Sequence, residues 1–207
     1  MSLLQKIYIL VLALTSFILP AQVQIADSTF VNLKDYSNEF VFDMRYATEN
    51  NFLKAKVYDC AECYLRYKTV KALIQANDAF LKKGYRIKIF DCYRPLDIQH
   101  RMWKIVSNPK YVANPNKGSI HNRGGAVDIT IVDLQGQKLN MGTEFDHFGS
   151  EAAHGFEGFT REIRHNRKLL KKTMERHNFR AFNSEWWHYN LKDSAADQLS
   201  NFRWKCY

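Results

Sequence analysis

Proline and glycine are scarce in this sequence, which has 4 Pro and 9 Gly among 207 residues. It contains no internal repeat and no linker-like segment, and apolar residues make up 46% and charged residues 25%. Collagen-like, repeat and disordered chains are excluded, because each of those classes has a biased composition. A chain of 207 residues can bury a substantial core in one compact domain.

Long apolar runs are absent beyond the N-terminal segment. There, Lys6 precedes an apolar run over residues 7–19, which ends near the small residue Ala21. A basic residue, a short apolar run and a small residue are typical of a secretory signal peptide. An uncleaved anchor is the alternative, but the run is shorter than the ~20 residues of a spanning helix. We therefore expect a signal peptide over 1–21, a domain over 22–207, and an exported protein, periplasmic or extracellular, without membrane insertion after cleavage.

The net charge of +9 is compatible with two kinds of surface. One binds nucleic acid or another polyanion, and the other is a solvated basic face. Basic residues collect over 161–172 without the interleaved aromatic residues of nucleic-acid motifs. We expect a solvated basic face and no nucleic-acid partner.

Cysteine is also infrequent, with only four residues: Cys60, Cys63, Cys92 and Cys206. An even number of cysteines in an exported chain favours disulfides. A four-thiolate zinc site is the alternative, because Cys60 and Cys63 have ligand spacing. Such a site usually needs two close pairs, and the chain has one. We expect two disulfides, and three pairings remain open.

Helical and strand patterns occur in mixed order along the chain. The predicted helices span residues 66–83, 96–106 and 160–178, and the predicted strands span 85–91, 125–133 and 185–191. A loop rich in Asn, Pro and Lys is predicted over 107–118. Because helices and strands do not alternate regularly, we expect an α+β fold in a single compact domain, with a central, mostly antiparallel sheet flanked by helices.

The first polar cluster pairs a histidine with a carboxylate. His121 precedes two glycines that allow the chain to turn back, and Asp128 lies within the predicted strand after that turn. A carboxylate among Val and Ile residues is costly to bury unless it is paired or binds a metal. A His–Asp hydrogen bond that only braces the turn is the alternative.

The second cluster, around Glu185 and His188, supplies another carboxylate and another imidazole. Zinc in hydrolases commonly takes three protein ligands and leaves a position for water. His121, Asp128 and His188 provide such a set, which leaves Glu185 free to act as a base. An apolar core strand with incidental polar residues is the alternative.

Residues 185 and 188 would point to opposite faces of a straight strand. A ligand and a base that serve one metal cannot do so, and we therefore predict a bend or bulge at Glu185. Between them, Trp186 and Trp187 are expected to shield the site from bulk water.

The third cluster places Arg94 at the end of the predicted strand 85–91. A permanently charged guanidinium beside a hydrolytic site can stabilise an oxyanion. A surface ion pair with Asp91 or Asp97 is the alternative.

Together these clusters resemble the D-alanyl-D-alanine dipeptidases among the zinc D,D-peptidases. The matching motifs keep their order over most of the mature chain: Arg45-Tyr-Ala-Thr48, Asp91-x-Tyr-Arg-Pro95, Ser119-x-His-x-Arg-Gly-x-Ala-x-Asp128, Met141-Gly-Thr-x-Phe-Asp146 and Glu185-Trp-Trp-His-Tyr189. The resemblance implies one zinc ion, Zn2+, per chain on His121, Asp128 and His188, at the sheet edge. It also implies Glu185 as general base and acid and Arg94 as the stabiliser of the oxyanion.

The resemblance further implies a small dipeptide substrate. Tyr46 and Asp146 would hold its free ammonium group, and Ser119 its carboxylate. The chain departs from the vancomycin-resistance dipeptidase in its export signal and in Cys92, which replaces a small residue. Export favours the scavenging or trimming of wall-derived dipeptide over a role in resistance.

Two other functions are considered. One is a zinc D,D-carboxypeptidase or L,D-endopeptidase that acts on longer wall peptides, against which Tyr46 and Asp146 argue. The other is a non-catalytic, zinc-stabilised wall-binding module, in which Glu185 and Arg94 would have no role. The sequence leaves the oligomeric state open.

Overall fold

Seven strands and three α-helices make up the part of the chain that the computed structural model describes, residues 24–206. The strands are β1 (Phe30–Asn32), β2 (Val41–Phe42), β3 (Tyr64–Arg66), β4 (Tyr85–Asp91), β5 (Ala126–Asp133), β6 (Phe179–Ala181) and β7 (His188–Leu191). The helices are α1 (Tyr67–Leu81), α2 (Leu96–Ile105) and α3 (Arg161–Arg176). The expected signal peptide lies outside the described residues. Within residues 24–206, no helix is both long and apolar enough to cross a lipid bilayer.

The central sheet has five strands in the order β2-β4-β5-β7-β6. Only β2 and β4 pair in parallel, and the other neighbours are antiparallel. A separate two-stranded sheet pairs β1 with β3. The predicted α+β fold with a mostly antiparallel sheet is therefore confirmed.

The two faces of the central sheet differ in what covers them. Ile87 and Ile89 of β4 lie opposite Ile131 and Ile129 of β5, and all four are fully buried. Helix α1 packs on β4 and on α3, and α3 packs on β6, so both helices cover this apolar face. The opposite face carries Asp128 and Thr130, and residues of the loops 107–118 and 138–148 line the cavities beside them.

The predicted helices and the long strands agree with the structure to within two residues at each end. Helix α1 ends before Gly84, whose φ of +79° suits a residue without a side chain. Asn77, on the buried stripe of α1, accepts a hydrogen bond from the Ile87 N–H (2.7 Å) and donates one to the Glu39 carbonyl (3.2 Å). This polar core residue therefore joins α1 to β4.

The last strand is shorter than predicted. Strand β7 begins at His188 rather than at residue 185, because residues 182–187 turn before they reach the sheet. Strands β1, β2, β3 and β6 have two or three residues each, too few to produce an alternation in the sequence.

A register shift in β4 turns a carboxylate toward the polar face. Ile89 pairs with Ile129, but Asp91 pairs with Asp128, so one extra residue of β4 lies between these two pairs. Residues directly opposite one another share a face of a sheet. The bulge therefore places Asp91 on the same face as Asp128, where the candidate site lies.

All four cysteines form disulfides, Cys60–Cys206 and Cys63–Cys92. Two disulfides were predicted and are confirmed in number, and the structure selects the pairing. The alternative of a four-thiolate zinc site is wrong, because no free thiol remains.

Candidate functional site

Three elements bring His121, Asp128 and His188 together at the end of the sheet where β4 ends. His121 begins a short 3₁₀ turn that ends at Gly124, Asp128 is the third residue of β5, and His188 is the first residue of β7. Asp128 and His188 are direct partners in the sheet. Gly124 has a φ of +74°, and a Cβ atom there would lie 2.5 Å from the Phe30 ring. Glycine is therefore required where the chain turns from His121 into β5.

The donor atoms of these residues face one another at short distances. His121 Nε2 lies 3.2 Å from His188 Nδ1 and 3.4 Å from Asp128 Oδ1, and His188 Nδ1 lies 3.0 Å from Asp128 Oδ1. In a tetrahedron with zinc–ligand distances of about 2.0–2.1 Å, neighbouring ligand atoms are about 3.3 Å apart. The spacing of these donors therefore fits a zinc ion.

The outward nitrogens of the two imidazoles are also held. His121 Nδ1 lies 2.7 Å from the Cys92 carbonyl oxygen, and His188 Nε2 lies 2.8 Å from Asn190 Oδ1. Both oxygens accept hydrogen bonds, which favours a proton on each outward nitrogen. With a metal bound, the inward nitrogens would present lone pairs to it, as a metal ligand must. Without one, a second proton on an inward nitrogen makes the ring cationic and lets it donate to Asp128.

Asp128 is ionised in this setting. Burial alone would raise the pKa of Asp128, but attraction to His121 and hydrogen bonds with His121 and His188 lower it below its ordinary value. A buried carboxylate and two imidazole lone pairs form a donor set that suits a divalent cation.

Glu185 lies in the turn that leads into β7. Its N–H donates to the Phe182 carbonyl (3.2 Å), and its carbonyl accepts from the His188 N–H (3.4 Å). The predicted bend at Glu185 is therefore confirmed. Burial raises the pKa of Glu185 above its ordinary value. A carboxyl group with a raised pKa is suited to accepting and returning a proton near neutral pH.

Arg94 is buried and held from two sides. Its Nη2 donates to Asp91 Oδ2 (2.7 Å), and its Nη1 donates to Gln99 Oε1 (3.0 Å). Tyr58 donates to the other oxygen of Asp91 at 2.8 Å. The expected alternative of an ion pair with Asp91 does occur, but it is buried rather than at the surface. Burial alone would lower the pKa of Arg94, whereas the charge of Asp91 raises it, so the guanidinium stays charged.

One donor of the Arg94 guanidinium is unpaired among the residues that the structure describes. Within residues 24–206, the buried Nε atom has no hydrogen-bond partner. The planar group lies over the Tyr46 ring, 5.3 Å from its centre. Five donors in a rigid fork, of which two are held, can present the rest in a fixed direction.

Tyr46 and Asp146 form the second charged end of the site. The Tyr46 hydroxyl lies 3.1 Å and 3.2 Å from the two carboxylate oxygens of Asp146. Burial and repulsion from Asp128 raise the pKa of Asp146 well above its ordinary value, and the Tyr46 hydrogen bond opposes that rise. An arriving cation would relieve this unfavourable burial of charge.

Ser119 lies on another part of the cavity wall. Its hydroxyl donates to Asn122 Oδ1 (3.1 Å), and its N–H donates to the same oxygen (2.7 Å). Asn122 in turn donates to the Arg94 carbonyl at 2.8 Å. The loop of Ser119 is therefore tied to the backbone of Arg94.

One cavity of about 260 Å³ is lined by all eight predicted site residues: Tyr46, Arg94, Ser119, His121, Asp128, Asp146, Glu185 and His188. That volume is below the range of about 300–1,000 Å³ usual for drug-sized ligands. Trp187 lines this cavity as expected, but Trp186 lines a neighbouring one and donates to Thr143 Oγ1 at 2.8 Å. Shielding by Trp186 is therefore not seen.

Sequence reasoning missed several residues around the cavity. Asn190 contacts His188, and Lys110 lines the cavity wall. Gln99 accepts a hydrogen bond from Arg94, and Tyr58 donates one to Asp91, the ion-pair partner of Arg94. Asn190 follows His188 by two residues on one strand, so the period of two could have revealed it. Gln99 follows Arg94 across a strand–helix junction, and Tyr58 is distant in sequence, so neither has a local signal.

Comparisons with known proteins cover most of the chain. A family model described as D-ala-D-ala dipeptidase, Peptidase_M15, matches residues 26–205. The D-alanyl-D-alanine dipeptidase of Escherichia coli (strain K12) is 30% identical over 184 residues, which are 88% of this chain and 95% of that protein. The D-alanyl-D-alanine dipeptidase of Enterococcus faecium is 28% identical over 73% of this chain and 86% of that protein.

A solved structure of the vancomycin resistance D,D-pentapeptidase VanY in complex with Zn(II) is 15% identical, with a TM-score of 0.43 over 62% of this chain and 73% of that one.

Proposed function

The chain belongs to the D-ala-D-ala dipeptidase family of metallopeptidases, and from that membership we propose that it hydrolyses D-alanyl-D-alanine to two molecules of D-alanine in a zinc-dependent reaction. The observation that carries the proposal is the set of donor atoms of His121, Asp128 and His188, 3.0–3.4 Å apart in a small cavity. Zinc bound by these three residues would supply Lewis acidity, which polarises a carbonyl group and acidifies water.

Glu185 is the proposed general base and acid. It takes a proton from water as the water oxygen adds to the carbonyl carbon of the peptide bond. When the C–N bond breaks, Glu185 returns that proton to the leaving amine. The support for this role is its position in the same cavity and the rise of its pKa on burial.

Arg94 is the proposed stabiliser of the negative charge that develops on the carbonyl oxygen. Its guanidinium is charged and immobilised by Asp91 and Gln99, so it needs no reorganisation during the reaction. Arg94 also lines the same cavity as the three candidate zinc ligands.

Recognition of both ends of the substrate follows from the remaining groups. Asp146, supported by Tyr46, would bind the free ammonium of the first residue, and Ser119 would bind the terminal carboxylate. A longer or acylated peptide brings no ammonium to Asp146 and would leave that carboxylate buried without a counter-charge. This argues against a D,D-carboxypeptidase or an L,D-endopeptidase.

The non-catalytic, zinc-stabilised module is disfavoured by the same cavity. A purely structural metal site is normally closed by four protein ligands. Here three candidate ligands share an open cavity with a carboxylic acid and a charged arginine.

We further propose that the protein works outside the cytoplasm. Its two disulfides support this, because such bonds persist in oxidising compartments. Scavenging or trimming of wall-derived dipeptide is then its expected role. Recovery of the native protein from the cytoplasmic fraction with reduced cysteines would contradict it.

The proposed activity is tested by comparing two substrates with purified, zinc-loaded protein. D-Ala-D-Ala should be cleaved with a much higher kcat/KM than its N-acetyl form. Faster cleavage of the acetylated compound would indicate a carboxypeptidase instead of a dipeptidase. If neither compound is cleaved, the proposed function is wrong.

A further inference from the structure

Gln99 is a fully buried polar residue of α2 with both ends of its amide engaged. Its Oε1 accepts from Arg94 Nη1 at 3.0 Å, and its Nε2 donates to the Ala113 carbonyl at 2.7 Å. Its backbone N–H donates to the Pro95 carbonyl (3.1 Å), which holds its backbone in the first turn of the helix. Gln99 therefore lies between the guanidinium of Arg94 and the segment that contains Ala113.

Ala113 belongs to the loop of residues 107–118, which forms one wall of the cavity. Lys110, Tyr111 and Ala113 of this loop line the cavity together with Arg94. Val112 is 1% exposed, so the loop is seated on the core rather than free in solvent. The Tyr111 ring also packs against Phe148, with ring centres 4.9 Å apart.

Only an amide of this length satisfies both of these neighbours. A guanidinium has donors and no acceptor, and a carbonyl oxygen has no donor. Gln99 supplies an acceptor to Arg94 and a donor to Ala113, so the orientation of its amide follows from its partners. A carboxylate would keep the first bond and lose the second, and an apolar side chain would lose both.

We propose that Gln99 is a positioning residue that joins the oxyanion-stabilising guanidinium of Arg94 to the cavity wall formed by residues 107–118. Asp91 accepts from one terminal nitrogen of the guanidinium, and Gln99 accepts from the other. Gln99 therefore restricts the rotation of the guanidinium that the bond to Asp91 alone would allow. The positions of the loop 107–118 and of the Arg94 guanidinium are then coupled. A displacement of either one shifts the other through the side chain of Gln99. This inference rests on the proposed dipeptidase function.

Two variants distinguish the hydrogen bond of Gln99 with Arg94 from its hydrogen bond with Ala113. Gln99→Glu keeps an acceptor for Arg94 and removes the donor to Ala113, whereas Gln99→Met removes both with little change in volume. His100→Gln, at an exposed neighbouring position of α2, is the matched control. Steady-state kinetics with D-Ala-D-Ala and amide hydrogen exchange over residues 107–118 are measured for each folded protein.

In Gln99→Glu we expect KM to rise by about 5-fold, the equivalent of one hydrogen bond, with kcat nearly unchanged and faster exchange in the loop. In Gln99→Met we expect the same rise in KM and exchange, and in addition a fall in kcat of about 10-fold or more, because a bond to a charged group is lost. The control should match the unaltered protein in all three quantities.

The outcomes distinguish this inference from the proposed function. If the unaltered protein does not cleave D-Ala-D-Ala, the proposed function fails, and the exchange data alone then test the link between Gln99 and the loop. If the unaltered protein is active and both variants share its kcat, KM and loop exchange, the positioning role is overturned. A lower melting temperature without any kinetic or exchange difference overturns it equally.

Discussion

The carbonyl oxygen of Cys92 lies 2.7 Å from Nδ1 of His121, and the side chain of Cys92 is bonded to Cys63. A covalent crosslink therefore holds the backbone group that orients one of the candidate zinc ligands. Partners of this kind fix both the tautomer and the direction of a ligating imidazole. The other disulfide, Cys60–Cys206, attaches the C-terminal segment instead.

We predict that removing either disulfide destabilises the protein, but that only one removal weakens the metal site. Cys63→Ala with Cys92→Ala, and Cys60→Ala with Cys206→Ala, should each lower the free energy of unfolding by about 2–4 kcal/mol. Only the first pair should weaken zinc affinity, because it frees the carbonyl that orients His121. Denaturant unfolding and zinc titration of both double variants provide the check, and equal zinc affinities in the two would contradict it.

We predict that Glu185→Gln abolishes turnover without loss of metal. The amide cannot take up a proton, so kcat should fall by about 10²–10⁴-fold. Zinc content should be unchanged, since Glu185 is not among the candidate ligands. Glu175→Gln, an exposed change on α3, is the control. Normal turnover by Glu185→Gln would refute the assignment of the general base.

We predict that Asn190→Ala weakens zinc binding although Asn190 is not itself a candidate ligand. Its Oδ1 holds the outward nitrogen of His188 at 2.8 Å. Loss of such a partner typically lowers metal affinity by about 10–100-fold. Competition with a chromogenic chelator measures the change, and Asn50→Ala, at an exposed position, serves for comparison. Indistinguishable affinities would show that the Asn190 contact does not support the site.

We predict that Tyr46→Phe shifts the acid limb of the pH profile to higher pH. The Tyr46 hydroxyl lowers the pKa of Asp146, while burial raises it, so removing the hydroxyl leaves the pKa higher still. Asp146 must be ionised to bind an ammonium group, and it loses its charge as the pH falls through its pKa. The kcat/KM for D-Ala-D-Ala should therefore decline at a higher pH than in the unaltered protein, most of all through KM.

Profiles measured from about pH 4 to 9 span the ordinary carboxyl and histidine ranges. Tyr36→Phe, outside the cavity, should leave the profile in place. An unshifted acid limb in Tyr46→Phe would show that the Tyr46 hydroxyl does not influence the pKa of Asp146.

Much of the fold could be predicted from the sequence because long elements carry their own periodicity. Helix α1 and strands β4 and β5 each repeat their apolar residues often enough to identify both type and limits. Strands of two or three residues, such as β2, cannot do so. Their positions depend on the sheet that they join, and the pairing of the cysteines likewise depends on the folded chain.

The residues of the candidate site could be predicted from the sequence, but most of the neighbouring residues that hold them in place could not. His121, Asp128 and His188 stand out because polar residues interrupt apolar strands and turns, and family motifs include them. The bulge that turns Asp91 to the polar face leaves no local pattern, and Gln99 looks like any polar residue of an amphipathic helix. Contacts of this kind are set by how α2 and the loop 107–118 pack, which no short window of sequence contains.

The most direct test is a zinc titration of metal-stripped protein, with the initial rate of D-Ala-D-Ala hydrolysis recorded at each addition. The rate should rise from near zero in proportion to added zinc and level off at one ion per chain, and His188→Ala should remain inactive at the same concentrations. A metal-free protein as active as the zinc-loaded one, or a fully active His188→Ala protein, would contradict the zinc site of His121, Asp128 and His188.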